Sequence, residues 1–108
     1  MTKNYLNLLG LASAARKIVS GETLLKSIRS QKVHLVLIAN DASDNTKKKL
    51  TDKCHYYGIE CYIMEENSDT LSHAIGKNRV ALGICDSGFA NKIKKNIGGW
   101  FYGKKEQK

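Results

Sequence analysis

Lys32-Val33-His34-Leu35-Val36-Leu37-Ile38-Ala39, followed at once by Asn40-Asp41-Ala42-Ser43-Asp44-Asn45-Thr46, is the stretch on which the fold turns. Its centre is almost unbroken apolar sequence, as a strand becomes when both faces of its sheet are covered. The polar run behind it is dense in Asn, Asp, Ser and Thr, whose side-chain oxygens accept from the bare N–H groups that open a helix. A strand feeding a capped helix is one unit of an alternating α/β chain. In the helix that follows, Leu50, Cys54 and Tyr57 recur at i, i+4 and i+7, while Lys47, Lys48, Lys49 and Lys53 fall mostly on other faces. Gly58 stands where a C-cap belongs.

The same alternation extends in both directions. Upstream, Tyr5, Leu8 or Leu9, Ala12 and Ala15 keep helical spacing, Lys17 to Ser20 reads as a strand stopped by Gly21, and Leu24, Leu25 and Ile28 define a helix over Glu22 to Arg29. Downstream, Ile59 to Met64 is a strand, Asp69 to Ile75 a short helix closed by Gly76, and Val80 to Cys85 a further strand. Asp86 or Ser87 caps a last helix with Phe89, Ile93 and Ile97 on one side, which Gly98-Gly99 ends. The pattern predicts a three-layer α/β/α sandwich around a four-stranded mixed sheet. One domain spans residues 1–97, and 98–108 is expected to be a flexible basic tail.

The chain has 108 residues, within the usual allowance for one domain, so an enzyme built on an interdomain cleft is excluded. Apolar residues make up 42% and charged residues 26%, the proportions of an ordinary globular protein. The aliphatic run Leu35 to Ala39 is far short of the ~20 residues of a membrane span. The first residues lack the pattern of a secretory signal, so a cytoplasmic protein is expected; no membrane partner is expected, and the chain is taken as a monomer. Lys and Arg number 18 against 10 Asp and Glu, a net charge of +8, which raises the local concentration of polyanions. Cys54, Cys61 and Cys85 form no C-x-x-C pair and have no His at ligand spacing. They read as small buried hydrophobes, with no metal and no cofactor expected.

In α/β sheets ligands gather where loops leave the carboxyl ends of strands. Ser20-Gly21-Glu22-Thr23, Asn40-Asp41-Ala42-Ser43 and Gly76-Lys77-Asn78-Arg79 occupy such loops. The first two open helices, whose N–H groups and positive dipole ends suit phosphate oxygens. Gly21 allows close approach to the backbone. Glu22, Thr23, Asn40 and Asp41 carry groups able to read base edges. Lys26 lies one turn beyond Glu22, either as its i,i+4 partner or as a phosphate contact. Lys47, Lys77 and Arg79 supply further cations, and an Arg can grip a phosphate bidentately or stack on a base. Any one of these segments alone would be a cap or a turn; together, in a basic chain, they favour a binding edge.

Catalysis finds little support. G-x-x-x-x-G-K-[ST], G-x-G-x-x-G and G-x-S-x-G are absent, and His34, His55 and His73 stand in unrelated contexts. Asp41 and Asp86 hint at a phosphoacceptor receiver, but no acidic pair that could hold Mg²⁺ follows the first strand.

Lys17-Ile18-Val19-Ser20-Gly21-Glu22, Leu35-Val36-Leu37-Ile38-Ala39-Asn40-Asp41-Ala42-Ser43 and Leu71-Ser72-His73-Ala74-Ile75-Gly76-Lys77 resemble the kink-turn-binding ribosomal protein family. Its bacterial YlxQ-like branch is the most similar, through Asp44-Asn45-Thr46-Lys47-Lys48-Lys49, Asp52-Lys53-Cys54 and Asp86-Ser87-Gly88-Phe89-Ala90-Asn91-Lys92-Ile93. The likeness runs from about Asn7 to Ile97. It implies an α/β/α fold that binds RNA kink-turns, sharp bends built on tandem sheared G·A pairs, in a ribosome or another ribonucleoprotein. In the family a Gly-x-Asn-Glu stretch opening the second helix touches the guanines, a Lys soon after assists, and a later loop covers flipped-out nucleotides. By position these are Ser20-Gly21-Glu22-Thr23, Lys26 and Gly76-Lys77-Asn78-Arg79. Glu22 and Thr23 stand where Asn and Glu are expected, or Glu22 alone matches under a one-residue shift, and Ser72 replaces the second residue of a Leu-Gly-x-Ala-x-Gly stretch. A carboxylate in the Asn position accepts from an amino group, cannot donate, and repels phosphates.

A rival expectation is a protein-interaction module of a ribonucleoprotein with little direct RNA specificity. Glu60, Glu65, Glu66 and Asp69 would then form a face for a basic partner.

Overall fold

The computed structural model describes residues 4–96 and 99–102 of the chain. The elements run α1 (Asn4–Ala14), β1 (Ile18–Ser20), α2 (Glu22–Arg29), β2 (Leu35–Ile38), α3 (Asp44–Tyr57), β3 (Glu60–Met64), α4 (Ser68–Ile75), β4 (Ala81–Ile84), α5 (Ser87–Asn96) and β5 (Gly99–Tyr102). The sheet order is β1-β4-β2-β3-β5. β2 and β3 are parallel, joined by α3 as a crossover, and the other neighbours are antiparallel.

β2 shows why both faces of the sheet are covered. Alternate side chains of a strand point to opposite faces. Leu35 and Leu37 join Tyr5, Leu9, Leu71, Leu82 and Ile93 in one core under α1, α4 and α5. Val36 and Ile38 join Leu24, Ile28, Leu50, Cys54 and Cys61 in the other, under α2 and α3. All four residues of β2 are fully buried. At Gly83 in β4, a Cβ would lie 2.8 Å from both Leu24 Cδ1 and Val33 Cγ1. Glycine there lets α2 settle close over the sheet, and α2 brings the helix opening at Glu22 to the sheet's upper edge.

The α/β/α sandwich and the first four strands of the mixed sheet are as the sequence predicts. Several boundaries are shorter: the β2 ladder begins at Leu35 rather than Lys32, although His34 N–H still donates to Ile84 O at 2.8 Å. One element departs from expectation. Gly99–Tyr102, placed by the sequence in a flexible tail, pairs antiparallel with β3, Tyr62 opposite Phe101, and extends the sheet to five strands. The exposed backbone edge of β3 supplies the pairing groups, a tertiary opportunity that local sequence does not announce. The expected tail from 103 to 108 lies outside the described residues.

Caps follow the sequence closely. The Ser43 hydroxyl accepts from Thr46 N–H at the start of α3, and Gly58 ends that helix in the left-handed region. Of the two candidates opening α5, Asp86 does the capping: its Oδ2 accepts from Phe89 N–H at 2.9 Å. The thiols of Cys54 and Cys61 are buried beside each other, and Cys54 as hydrogen-bond neighbour together with burial pushes the Cys61 thiol well above its ordinary range. A thiol held in its neutral form is the inert, structural kind. No helix among the described residues is long and apolar enough to cross a membrane.

Candidate nucleic-acid interface

The C-terminal ends of β1, β2 and β3 share one edge of the sheet with the N-terminal end of β4, because β4 alone of these runs the other way. That edge carries the three loops singled out above, and it uses them in two different ways.

The first loop is open. Gly21 has φ 66° and ψ −141°, and no side chain caps α2. A backbone in this region is strained for any residue with a Cβ, so glycine is required to turn β1 into α2. A helix without a side-chain cap presents its first N–H groups and its positive dipole end outward. Glu22, Thr23 and Lys26 are all exposed on the turns that follow. Glu22 sits in the first turn, where its carboxylate favours the helix and competes with an incoming anion.

Arg79 faces this opening from the loop before β4. Its Nε donates to Ser20 Oγ at 2.8 Å, and one terminal nitrogen donates to Asn78 O at 2.7 Å. Its backbone is anchored by a residue of α4: Ser72 Oγ accepts from Arg79 N–H at 2.9 Å and donates to Arg79 O at 3.2 Å. A guanidinium held from both sides is a preorganised cation, with less side-chain entropy to lose on gripping an anion. Gly76, in the left-handed region, closes α4 and launches the loop in which Lys77 and Asn78 stand exposed. Between α2, α3 and this loop lies a groove of about 210 Å³ lined by Gly21, Leu25, Thr46, Lys49, Arg79 and Val80, among others. Val80 is 43% exposed at its rim, an apolar surface suited to the face of a base.

The second loop is closed on itself. Asn40 N–H donates to Glu66 O at 2.9 Å, and its side-chain amide donates to Glu65 O. Asp41 accepts from Ser68 N–H at 2.8 Å and from Ser68 Oγ at 2.9 Å, which ties it to the first residue of α4, beside the Asn67 cap. The two Ser68 hydrogen bonds, with some help from Lys47, hold the Asp41 carboxyl below its usual range. Half-buried Lys47 sits beside this latch.

The structure therefore brings Ser20, Gly21 and Arg79 into direct contact or apposition, with Glu22, Thr23, Lys26, Gly76, Lys77 and Asn78 around them. It sets Asn40, Asp41 and Lys47 in a separate latch between the loops after β2 and β3. Two residues that sequence reasoning missed belong with the first group. Ser72 looked like a departure from a glycine pattern and turns out to fix Arg79. Lys49 looked like one of a run of solvated lysines and lines the groove. Its i+3 spacing from the Thr46 turn was the available signal for a lysine facing the helix opening. Among the described residues there is no cluster of His, Cys, Asp and Glu that could hold a metal ion.

A model of the ribosomal protein L7Ae/L30e/S12e/Gadd45 family matches residues 3–94. The RNA-binding protein YlxQ of Bacillus subtilis (strain 168) is 52% identical over 88 residues, 80% of this chain and 87% of that protein. The RNA-binding protein YlxQ of Enterococcus faecium is 45% identical over 95 residues, 87% of this chain and 91% of that one. A solved structure of a protein with unknown function from Bacillus halodurans C superposes with a TM-score of 0.83 at 41% identity, covering 87% of this chain and 96% of that one. The Giardia lamblia 15.5kD RNA binding protein shares the fold with a TM-score of 0.70 at 22% identity, covering 88% of this chain and 86% of that one. With its core, its caps and its loop edge laid out along the same residues, the chain belongs to the ribosomal protein L7Ae/L30e/S12e/Gadd45 family, on the bacterial branch of the YlxQ proteins.

Proposed function

We propose that this protein binds structured RNA without catalysing a reaction, and that its target is a kink-turn with sheared G·A pairs in a ribosomal or other ribonucleoprotein RNA. The observation that carries this reading is the uncapped opening of α2 at Gly21, faced by an Arg79 that Ser20 and Ser72 hold in place. A kink-turn crowds two phosphate backbones together. A site pairing free N–H groups and a positive dipole end with preorganised cations stabilises the bent form over the extended one. Lys26, Lys49, Lys77 and Arg79 would supply the phosphate contacts, which orient the RNA. Thr23 can donate to or accept from a base edge, and Glu22 can accept from a guanine amino group. The net charge of +8 and the likeness to the RNA-binding YlxQ proteins both favour RNA as the partner.

The test is a titration of the full chain into a labelled kink-turn RNA, beside the same RNA with its G·A pairs replaced by Watson–Crick pairs, at two salt concentrations. Four to six phosphate contacts predict a log–log salt slope of roughly −3 to −5. Binding to both RNAs with equal affinity overturns motif recognition, and a flat salt slope overturns the phosphate-contact mechanism.

One observation favours a second role within a ribonucleoprotein. An apolar groove of about 830 Å³ lies between α1 and α4, lined by Leu6, Gly10, Leu11, His73 and Ala74, with Leu11 60% exposed. Its apolar lining suits contact with a neighbouring protein.

A further inference from the structure

The outer face of α3 holds an aromatic and lysine cluster of which the kink-turn reading uses only Lys49. Lys49, Lys53 and Tyr56 recur at i, i+4 and i+7, so they lie along one stripe of the helix. Tyr56 is 78% exposed, far beyond what a tyrosine serving the core would show. Its ring meets that of the half-buried Tyr57 in a T-shaped arrangement, with centroids 4.8 Å apart and planes at 83°. Tyr57 is itself held in place from α2's end, where Gln31 Nε2 donates to Tyr57 O. The Tyr56 ring is thus braced by a neighbouring ring while most of its surface stays exposed. Lys49, Asp52, Lys53, Tyr56 and Tyr57 border a shallow depression of about 580 Å³. The one acid in it, Asp52, is paired with Lys48 at 3.3 Å, so the charge presented by the stripe stays positive.

A braced aromatic face flanked by lysines fits one kind of ligand: an unpaired base stacked on the ring, with its backbone phosphates against the cations. The stripe is continuous with the candidate interface. Lys49 lines both the groove facing Gly21 and Arg79 and the depression beside Tyr56. From Lys49 to Tyr56 the helix rises about 10 Å, so a strand leaving that groove could follow α3 directly.

We infer that α3 carries a second RNA contact, in which Tyr56 stacks a base of a single-stranded segment flanking the structured target, while Lys49 and Lys53 meet its phosphates. This extends the footprint and rests on the reading of the Gly21–Arg79 edge as an RNA site, though it makes a separate demand on the RNA. Structured RNA would be chosen for its bend at one place and for an unpaired flank at the other.

Four labelled RNAs test it with the full chain: a blunt kink-turn, the same kink-turn with a short single-stranded extension on either strand, and the extended form with its G·A pairs made Watson–Crick. One of the two extensions should tighten binding by about tenfold. Tyr56→Ala should abolish that gain and leave both the blunt kink-turn affinity and the melting temperature unchanged. Tyr56→Phe should keep most of the gain. Lys53→Gln should flatten the salt slope by about 1 on the extended RNA alone. The inference is overturned when neither extension changes the affinity, when Tyr56→Ala retains the gain, or when the chain binds none of the RNAs. Loss of discrimination between G·A and Watson–Crick forms, with the Tyr56-dependent gain intact, would overturn the kink-turn reading and uphold this one.

Discussion

Two helix openings, at Gly21 and at Ser43, sit on the same edge of the sheet and looked alike in the sequence, yet the fold employs them in opposite ways. α3 is capped by its own Ser43, and the loop leading to it is consumed by internal hydrogen bonds that Asn40 donates and Asp41 accepts. α2 begins at a glycine in a strained backbone region, with no side-chain cap, and an arginine waits opposite. A capped opening contributes to stability and has few groups left to offer a ligand. An uncapped one gives up that stabilisation, of the order of 1 kcal/mol, and keeps its donors for a partner. The contrast separates where this protein spends its polar groups on folding from where it holds them for binding.

The contrast breaks most readily at Gly21. Gly21→Ala places a Cβ in a region with φ 66°, and should cost about 1–3 kcal/mol of stability, read as a lowered midpoint in urea unfolding. It should also weaken kink-turn RNA binding by more than that loss of folded protein accounts for. Unchanged RNA affinity in the folded fraction would remove the α2 opening from the interface. Arg79→Ala comes next. It removes a guanidinium anchored to Ser20 and should lower RNA affinity roughly tenfold, with little change in melting temperature.

Ser43→Ala is the mirror experiment. It should cost about 1 kcal/mol through loss of the α3 cap and leave RNA affinity unchanged. A substantial loss of affinity there would erase the distinction between the two openings. The smallest expected effect lies at Asp41. The Ser68 hydrogen bonds hold its folded carboxyl below the ordinary aspartate range, so its contribution is present above that range and fades as the pH falls through the lower folded pKa. Thermal melts from pH 6 down to pH 3 should show the wild type losing slightly more stability than Asp41→Asn over the lowest part of that range. Parallel curves would mean that the Ser68 latch contributes nothing measurable.

The openings also show how much of the site was legible beforehand. That Ser20–Thr23 and Asn40–Ser43 share an edge follows from strand–helix alternation, because both leave the carboxyl ends of strands; Gly76–Arg79 precedes a strand and reaches that edge only because β4 runs antiparallel to its neighbours. Which of them faces outward did not follow. Asn, Asp and Ser have the same hydrogen-bonding capacity whether their partner is a base, a phosphate or Ser68 of the next loop. Ser72 illustrates the reverse error: its hydroxyl read as an interruption of a glycine pattern, and in the fold it holds both backbone groups of Arg79. Likewise the lysine run of α3 read as a solvated face until α2 and the loop before β4 were brought against it.

By itself, the sequence determined the alternation of helices and strands, the two-sided burial of β2, the left-handed caps at Gly58 and Gly76, and the basic character that points to a polyanion. These rest on local propensity and on the periods of helix and strand, which neighbouring residues alone encode. Only the tertiary structure decided the strand order, the recruitment of Gly99–Tyr102 to the edge of β3, the latch of Asp41 on Ser68, and the setting of Arg79 against Ser20. Each of these joins groups distant in the chain through short-range hydrogen bonds, whose partners are chosen by where the packed layers bring the loops together and not by sequence proximity.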